Sequence, residues 1–280
     1  MSFDRDADQA TRLALFEQVR RHTGIVMNER KWAMLEGRLR RRIRALELPG
    51  YRDYLQVLEA KPAEVTDFID LVTTNETSFF RTPRVWDYFG TQFLPAWFAG
   101  NPQGTLRLWS AASSSGEEAY SAAMLCEEFR ARHPSFRYRI LGTDISEAIV
   151  RDACNAHFRG RSAEGLKQAH PHLLQKYFTP RDDGFTANGT LRANVSFRQH
   201  NLYASPRELG THDLAFLRNV LIYFDADGQL AVLENVRRAL VPQGVLIVGE
   251  SESLSRFDTG FVFEQPLIYR NGHSNGATLG

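Results

Sequence analysis

A chain of 280 residues with 43% hydrophobic and 24% charged side chains carries enough apolar mass for a packed core, which excludes disorder over most of its length. Its 34 Lys and Arg stand against 33 Asp and Glu, a formal net charge of +1 that argues against a general nucleic-acid coat or a polybasic membrane binder. The two cysteines, Cys126 and Cys154, form no CxxC pair, and no run of about 18 apolar residues is present to span a bilayer, so the expectation is a soluble cytoplasmic protein. At about 150 residues per domain the length suggests two domains. The polar, acidic first ten residues do not read as a signal peptide, and the Gly/Ser/Asn-rich tail 271–280 reads as frayed.

Residues 9–23 place Leu13, Phe16, Val19 and Arg20 on helical spacing and stop at Gly24. Asn28 stands where it can cap a second helix, with Glu29 in the first turn. That helix carries Leu35, Leu39, Ile43 and Leu46 on one stripe, while Arg38, Arg40, Arg41, Arg42 and Arg44 fan over the rest of its surface. Pro49-Gly50 ends it, and helices over 51–60 and 62–72 follow, parted by Lys61-Pro62. Residues 1–75 therefore read as a helical domain. Pro83, Pro95, Gly100 and Pro102 gather in 76–104, which reads as a linker. From 105 to the end, short apolar strands (106–112, 138–143, 195–199, 213–217, 245–248) alternate with helical stretches (117–132, 146–156, 226–240), and 261–263 with 267–269 suits a closing hairpin. Such alternation implies a mostly parallel α/β sheet. Within it, 157–195 reads as an inserted subdomain: a helical piece over 163–178, then two turn signals around a short strand of a β-hairpin.

The first strand-to-helix turn is the natural ligand site of such a sheet. Here it runs Ala111-Ala112-Ser113-Ser114-Ser115-Gly116-Glu117-Glu118. Small residues let backbone approach a ligand, but a single glycine is not the GxGxxG of a pyrophosphate turn, and two carboxylates directly after it would repel phosphates. Glu117 and Glu118 suit a cationic or hydroxyl-rich ligand, or they are ordinary first-turn acids favoured by the helix dipole. Asp144, ending the second strand, is placed either to accept from ribose hydroxyls or to cap the next helix. Together the turn, the double Glu and Asp144 favour an adenosine ligand without pyrophosphate, such as S-adenosylmethionine (SAM), over a nicotinamide cofactor. Two further segments are polar where a core would be apolar: Thr73–Arg81, and Arg218-Asn219 at a strand end, followed by the apolar run that contains Tyr223.

Five motifs in order carry a family resemblance: Thr-Thr-Asn-Glu-Thr-x-Phe-Phe-Arg (73–81), Trp-Ser-Ala-Ala-x-Ser-x-Gly-Glu-Glu-x-Tyr-Ser (109–121), Thr-Asp-Ile-Ser (143–146), Arg-Asn-Val-Leu-Ile-Tyr-Phe (218–224) and Gly-x-Ser-Glu-Ser-Leu (249–254). The chain resembles the CheR-type chemotaxis receptor methyltransferases over nearly its whole length. The resemblance implies an N-terminal helical domain joined to a Rossmann-like SAM-dependent methyltransferase domain with a small inserted β-subdomain. It also implies SAM as cofactor with S-adenosylhomocysteine (SAH) as product, no metal, and methyl esterification of glutamates on the cytoplasmic helical bundle of chemoreceptors.

By the same resemblance, Asn75, Thr77 and Arg81 belong to a segment covering the cofactor. Glu118 and Asp144 face its amino group or ribose, Asn201 and Leu202 flank its adenine, and Arg218 and Asn219 line the strand-end side. Arg81 and Tyr223 sit nearest the transferred methyl. Arg38, Arg41 and Arg42, at i, i+3 and i+4, together with Arg44, become an expected docking face for an acidic receptor bundle. Ser115 and Ala119 replace the family's usual Thr and Pro, and Glu250 stands where His is common. The loop 179–190 lacks the closely spaced glycines of members that dock a receptor's C-terminal tether peptide, so tether docking is not expected. Nucleic-acid binding and membrane insertion are not expected either. The competing readings are an RNA or small-molecule methyltransferase that uses the arginine helix for phosphates, and a methyltransferase-like regulator without catalysis.

Overall fold

The computed structural model describes residues 7–272; of the tail 271–280 expected to fray, Asn271 is instead paired with Phe261 in the last strand, and 273–280 lie outside the described residues. The N-terminal unit is built from α1 (Gln9–Thr23), α2 (Trp32–Ala45), α3 (Tyr51–Ala60) and α4 (Pro62–Val72). Asp8 caps α1, its Oδ1 accepting the Thr11 N–H at 2.8 Å. Gly24 closes the helix at φ +73°, and glycine is required twice over, because a Cβ there would stand 2.0 Å from the Tyr203 ring. The face that α1 buries is Thr11, Leu15, Phe16, Val19 and Thr23; Leu13, expected in the stripe, is 56% exposed. Packing selected the neighbouring i, i+4, i+8 row, which α3, α4 and the second domain cover. Leu35, Leu39 and Ile43 of α2 are fully buried, as their period requires. Asn28 caps a short 3-10 turn, Glu29–Lys31, that leads into α2.

Segment 76–104 is not an open linker. It holds α5 (Pro83–Tyr88), a wide π-type turn over Phe89–Phe93 and α6 (Leu94–Gly100). Its aromatic residues close one face of the sheet: Trp86 stacks on Phe216 with centroids 5.4 Å apart, and Phe89 meets Phe216 edge-on.

The second unit then runs β1 (Thr105–Ser110), α7 (Glu117–Arg132), β2 (Arg137–Asp144), α8 (Glu147–Asn155), β3 (His157–Arg159), α9 (Gly160–Ala169), α10 (Pro171–Tyr177), β4 (Phe178–Arg181), β5 (Gly184–Ala187), α11 (Gly189–Arg192), β6 (Val195–Gln199), β7 (His212–Leu217), α12 (Ala226–Ala239), β8 (Leu240–Val248), β9 (Phe261–Gln265) and β10 (Ile268–Asn271). The main sheet has the order β6-β2-β1-β7-β8-β10-β9. Its first five strands are parallel, and β10 and β9 are the antiparallel closing hairpin. This is the Rossmann-like α/β sheet with helices on both faces. The insertion is a three-stranded sheet, β3-β5-β4, rather than a hairpin, since His157–Arg159 pairs antiparallel with β5. Its helical piece is broken at His170, because Pro171 has no N–H to continue α9 and starts α10 instead.

Candidate active site

The chain builds β1, β2 and β6 outward in one direction, then returns to place β7 on the other side of β1. Strand order therefore reverses between β1 and β7, and the connections at their C-terminal ends part to leave a crevice. Its floor is the β1–α7 turn. Ala111 N–H donates to Phe216 O at 2.8 Å and Ser113 N–H to Thr143 O at 2.8 Å, which ties the turn to both flanking strands. Ser114 and Gly116 take positive φ, +48° and +99°, to swing the chain into α7.

Asn75, Thr77, Arg81, Glu118, Asp144, Asn201, Leu202, Arg218, Asn219 and Tyr223 all line this one cavity. They come from five separate segments of the chain. Thr23 and Ile25, just after α1, complete the wall, so the cavity lies between the helical unit and the sheet. The two units are stitched at its rim: Val26 N–H donates to Tyr223 O at 2.9 Å, Asn201 Nδ2 to His22 O at 3.4 Å, and Arg20 pairs with Asp225 at 2.9 Å. On another side, the Asp70 carboxylate of α4 accepts the Ala148 N–H at the start of α8.

Glu118 is buried at the start of α7. Its Oε1 accepts from Ser110 Oγ at 2.7 Å and its Oε2 from Arg218 Nη1 at 2.9 Å. Arg218, with only 2% of its side chain exposed, uses Nη2 to hold the Arg81 carbonyl at 2.7 Å, and its Nε–H is buried without a protein partner. Asp144 is buried at the end of β2, with Oδ2 accepting from Ser114 N–H and Oδ1 from Ser146 N–H, both at 3.0 Å. Burial pushes its carboxyl pKa up, opposed by those N–H groups. The cap of α8 is Ser146, whose Oγ accepts from Ile149 N–H, so capping does not account for Asp144. Glu117, also buried, takes Ser115 Oγ at 2.6 Å and Ser162 Oγ at 2.8 Å, anchoring the insertion to the turn. Neither acid is a solvated first-turn carboxylate.

At the mouth, Arg81 is exposed and donates to Glu76 O at 3.2 Å, and Tyr223 is half-buried with Lys31 Nζ 5.5 Å from its ring centre. Glu76, Glu118 and Asp144 set three carboxylates around the cavity against the guanidiniums of Arg81 and Arg218. A ligand of net positive charge, with one anionic group for a guanidinium and hydroxyls for a carboxylate, matches this set.

The arginine helix differs from expectation. Arg38 turns inward and donates to Leu71 O at 3.0 Å and Thr73 O at 2.8 Å, satisfying the open carbonyls at the end of α4. Arg42 grips Glu64 through two bonds, 2.8 and 2.6 Å, and also meets Asp67. Burial works against the charge of Glu64, yet the Arg42 and Tyr54 hydrogen bonds outweigh it and hold its pKa below the usual carboxylate range. Arg38 and Arg42 therefore brace the helical unit and do not form a docking face; Arg41 and Arg44 are the exposed members of the expected set. The groups that hold them, carbonyls at the end of α4 for Arg38 and the carboxylates of Glu64 and Asp67 for Arg42, lie more than 20 residues away in sequence.

Residues 13–73 match the all-alpha domain of CheR methyltransferase, and residues 75–266 match its SAM binding domain. The chain belongs to the CheR methyltransferase family. It is 32% identical over 251 residues to the chemotaxis protein methyltransferase Cher2 of Pseudomonas putida, covering 86% of this chain and 90% of that one. It is 34% identical over 253 residues to the chemotaxis protein methyltransferase of Escherichia coli (88% and 85%), and 36% identical over 205 residues to that of Listeria monocytogenes (73% and 75%). This CheR-family chain is thus a SAM-dependent methyltransferase. Among the described residues no helix is long and apolar enough to cross a membrane, and no group of three His, Cys, Asp or Glu is placed to hold a metal ion.

Four contributors escaped the reading of the sequence. Thr23 and Ile25 reach the cavity only because α1 lies against the sheet, and no local signal marks them. Ser110, fully buried, is the hydroxyl that steadies Glu118. Glu252 lies in the Gly-x-Ser-Glu-Ser-Leu motif, but its bonding became visible only in three dimensions.

Proposed function

We propose that this methyltransferase esterifies glutamate side chains on the cytoplasmic helices of chemoreceptors, giving glutamyl methyl esters and SAH. The observation that carries the reading is one cavity between the helical unit and the sheet in which Glu118 and Asp144 lie inside while Arg81 and Tyr223 stand at the mouth. The fit to SAM is chemical. Its sulfonium and ammonium suit the excess of carboxylates, its carboxylate suits a guanidinium, and the buried Arg218 Nε–H still lacks an acceptor. When bound, SAM supplies an activated methyl group on a good leaving group.

The chain's own residues have a limited task. A glutamate with an ordinary pKa near about 4.3 is ionised at neutral pH, so no general base is needed. Alignment of the attacking oxygen is the main contribution. Arg81 is assigned to orienting that carboxylate at the mouth, and Tyr223 to shaping the space beside it. Glu118 is assigned to the amino group, Asp144 to the ribose, Asn201 and Leu202 to the adenine, and Asn75 and Thr77 to the covering segment. Arg218 acts through Glu118 and the Arg81 carbonyl, and Asn219 lines the far wall. Arg41 and Arg44, both exposed on α2, are assigned to an acidic receptor bundle. The turn between β4 and β5 holds only Asp182 and Asp183, which supports a reading without tether-peptide docking.

The test has two arms. Calorimetric titration with SAH, with NAD as control, is expected to show saturable one-to-one binding of SAH alone. Incubation of a receptor cytoplasmic fragment with methyl-labelled SAM is expected to give label released by mild base as methanol. Label that survives base, or label on RNA, would overturn the glutamyl-ester reading.

A further inference from the structure

Glu252 lies beyond β8, outside the ring of residues that line the cavity, and is 5% exposed. Its carboxylate carries four hydrogen bonds, all from backbone N–H groups: Asn219 at 2.8 Å and Gly249 at 2.7 Å to Oε2, Val220 at 2.8 Å and Leu221 at 2.7 Å to Oε1. Three of these donors are consecutive. Successive N–H groups point at one anion only when the backbone kinks between right- and left-handed conformations, and Asn219 takes φ +59° to do so. That conformation is unfavourable for a residue with a Cβ and needs outside support. Among the described residues no cation pairs with Glu252; backbone N–H groups satisfy it.

The segment so held is the strand-end wall of the cavity. Asn219 and Val220 line it directly, and the short turn Leu221–Tyr223 that follows delivers Tyr223 to the mouth. The Tyr223 carbonyl then receives Val26 N–H from the helical unit. We propose that Glu252 is a positioning residue for methyl transfer: it sets Asn219 and Tyr223 by clamping the amides between them and touches no reactant itself. The proposal rests on the methyl-transfer reading above.

The structure supplies a second way to disturb the clamp with the carboxylate intact. A Cβ on Gly249 would stand 2.6 Å from Glu252 Oε2, 2.8 Å from Asn219 N and 3.0 Å from Asn219 Nδ2. Gly249→Ala therefore wedges the same contact open from the other side. In Glu252→Gln the amide NH2 faces N–H donors, and half of the bonds are replaced by donor–donor opposition.

The experiment compares the parent protein with E252Q and G249A in SAH stoichiometry, in kcat and KM on a receptor cytoplasmic fragment, and in the amide NMR signals of residues 219–221. Expected for both variants are one SAH per chain, receptor KM within threefold of the parent, kcat lowered at least tenfold and those amides moved upfield. The double variant is expected to be no worse than the weaker single one. A misplacement near 1 Å at a reacting centre is enough for a loss of this size. Unchanged amide positions in E252Q, or a kcat within twofold of the parent, would overturn the proposal. SAH stoichiometry that falls in step with kcat would overturn it too, because Glu252 would then be holding the fold and nothing more. Should E252Q fail to fold, G249A decides by the same criteria. A parent inactive on the fragment while its amides respond as expected in E252Q would count against the glutamyl-ester reading alone.

Discussion

Each half of the molecule sets an arginine on a buried glutamate, Arg42 on Glu64 and Arg218 on Glu118, and the two pairs do different work. In the helical unit Arg42 meets Glu64 through two parallel bonds from Nε and Nη2, Tyr54 OH adds a third to Glu64 at 2.9 Å, and Nη2 also meets Asp67. The Glu64 carboxylate is engaged on both oxygens by protein donors, and none of the residues that line the cavity at the strand ends belongs to this set. At the strand ends Arg218 meets Glu118 through a single 2.9 Å bond, spends a second donor on the Arg81 carbonyl and leaves Nε unpaired. That pair borders a cavity. Identical chemistry braces a fold when its valences are filled internally and offers a binding site when some remain open toward a void.

The largest effect is expected from the closed pair. Arg42→Ala leaves Glu64 buried with only Tyr54, and breaking a buried pair on one side costs about 3 kcal/mol of unfolding free energy. Denaturant titration checks this, and calorimetry is expected to find SAH affinity within twofold of the parent. A large loss of SAH binding with unchanged stability would erase the distinction between the two pairs.

On the open side, Asp144→Ala is expected to weaken SAH binding by about 1–3 kcal/mol, roughly 5- to 150-fold, through the loss of a buried acceptor. Calorimetry reads it directly, and unchanged affinity would leave Asp144 as a brace for Ser114 and Ser146. Because burial raises the Asp144 pKa, lowering the pH is expected to weaken SAH binding earlier than an ordinary carboxylate would.

A third buried group sharpens the contrast. His212 opens β7, the strand that ends beside Arg218, and neither of its ring nitrogens has a partner. Burial first, then the charge of Arg107, push its pKa down from 6.5 to about 4. Between those values the unfolded chain binds a proton that the folded one refuses, so stability falls as pH drops through this window, and the loss due to this residue reaches its full size below about 4. From pH 7 to 5 the expected loss is about 2 kcal/mol from this residue. Unfolding curves at the two pH values check it: in His212→Phe the loss is expected to shrink by that amount, and an unaltered pH dependence would show that the ring does not titrate this way.

The smallest effect is expected at the surface. Reversing Arg41 and Arg44 to Glu is expected to slow receptor methylation several-fold, most strongly at low salt, with SAH affinity and stability preserved. Equal methylation rates at low salt would remove these two arginines from docking as well.

Much of the fold was legible because its signals are local. The Asn28 cap, the stop at Gly24, the stripe Leu35–Leu39–Ile43 and the alternation of strands and helices act within a few residues of chain. Segment 76–104 was misjudged because prolines and glycines punctuate it, while what orders it is aromatic packing on the sheet, such as Trp86 on Phe216. The third strand of the insertion was missed because three residues, His157–Arg159, are too short to show a period.

The sequence by itself determined the order of elements, the parallel sheet and hence the strand ends where a ligand binds, since periodicity and strand-end topology follow from local backbone chemistry. Only the tertiary structure decided how charges pair. Arg38 and Arg42 are spent on α4, Arg218 on Glu118 across 100 residues, and Glu252 on a run of amides more than 30 residues away. Which partner a charged side chain meets is a long-range outcome of packing, and spacing along the chain does not encode it.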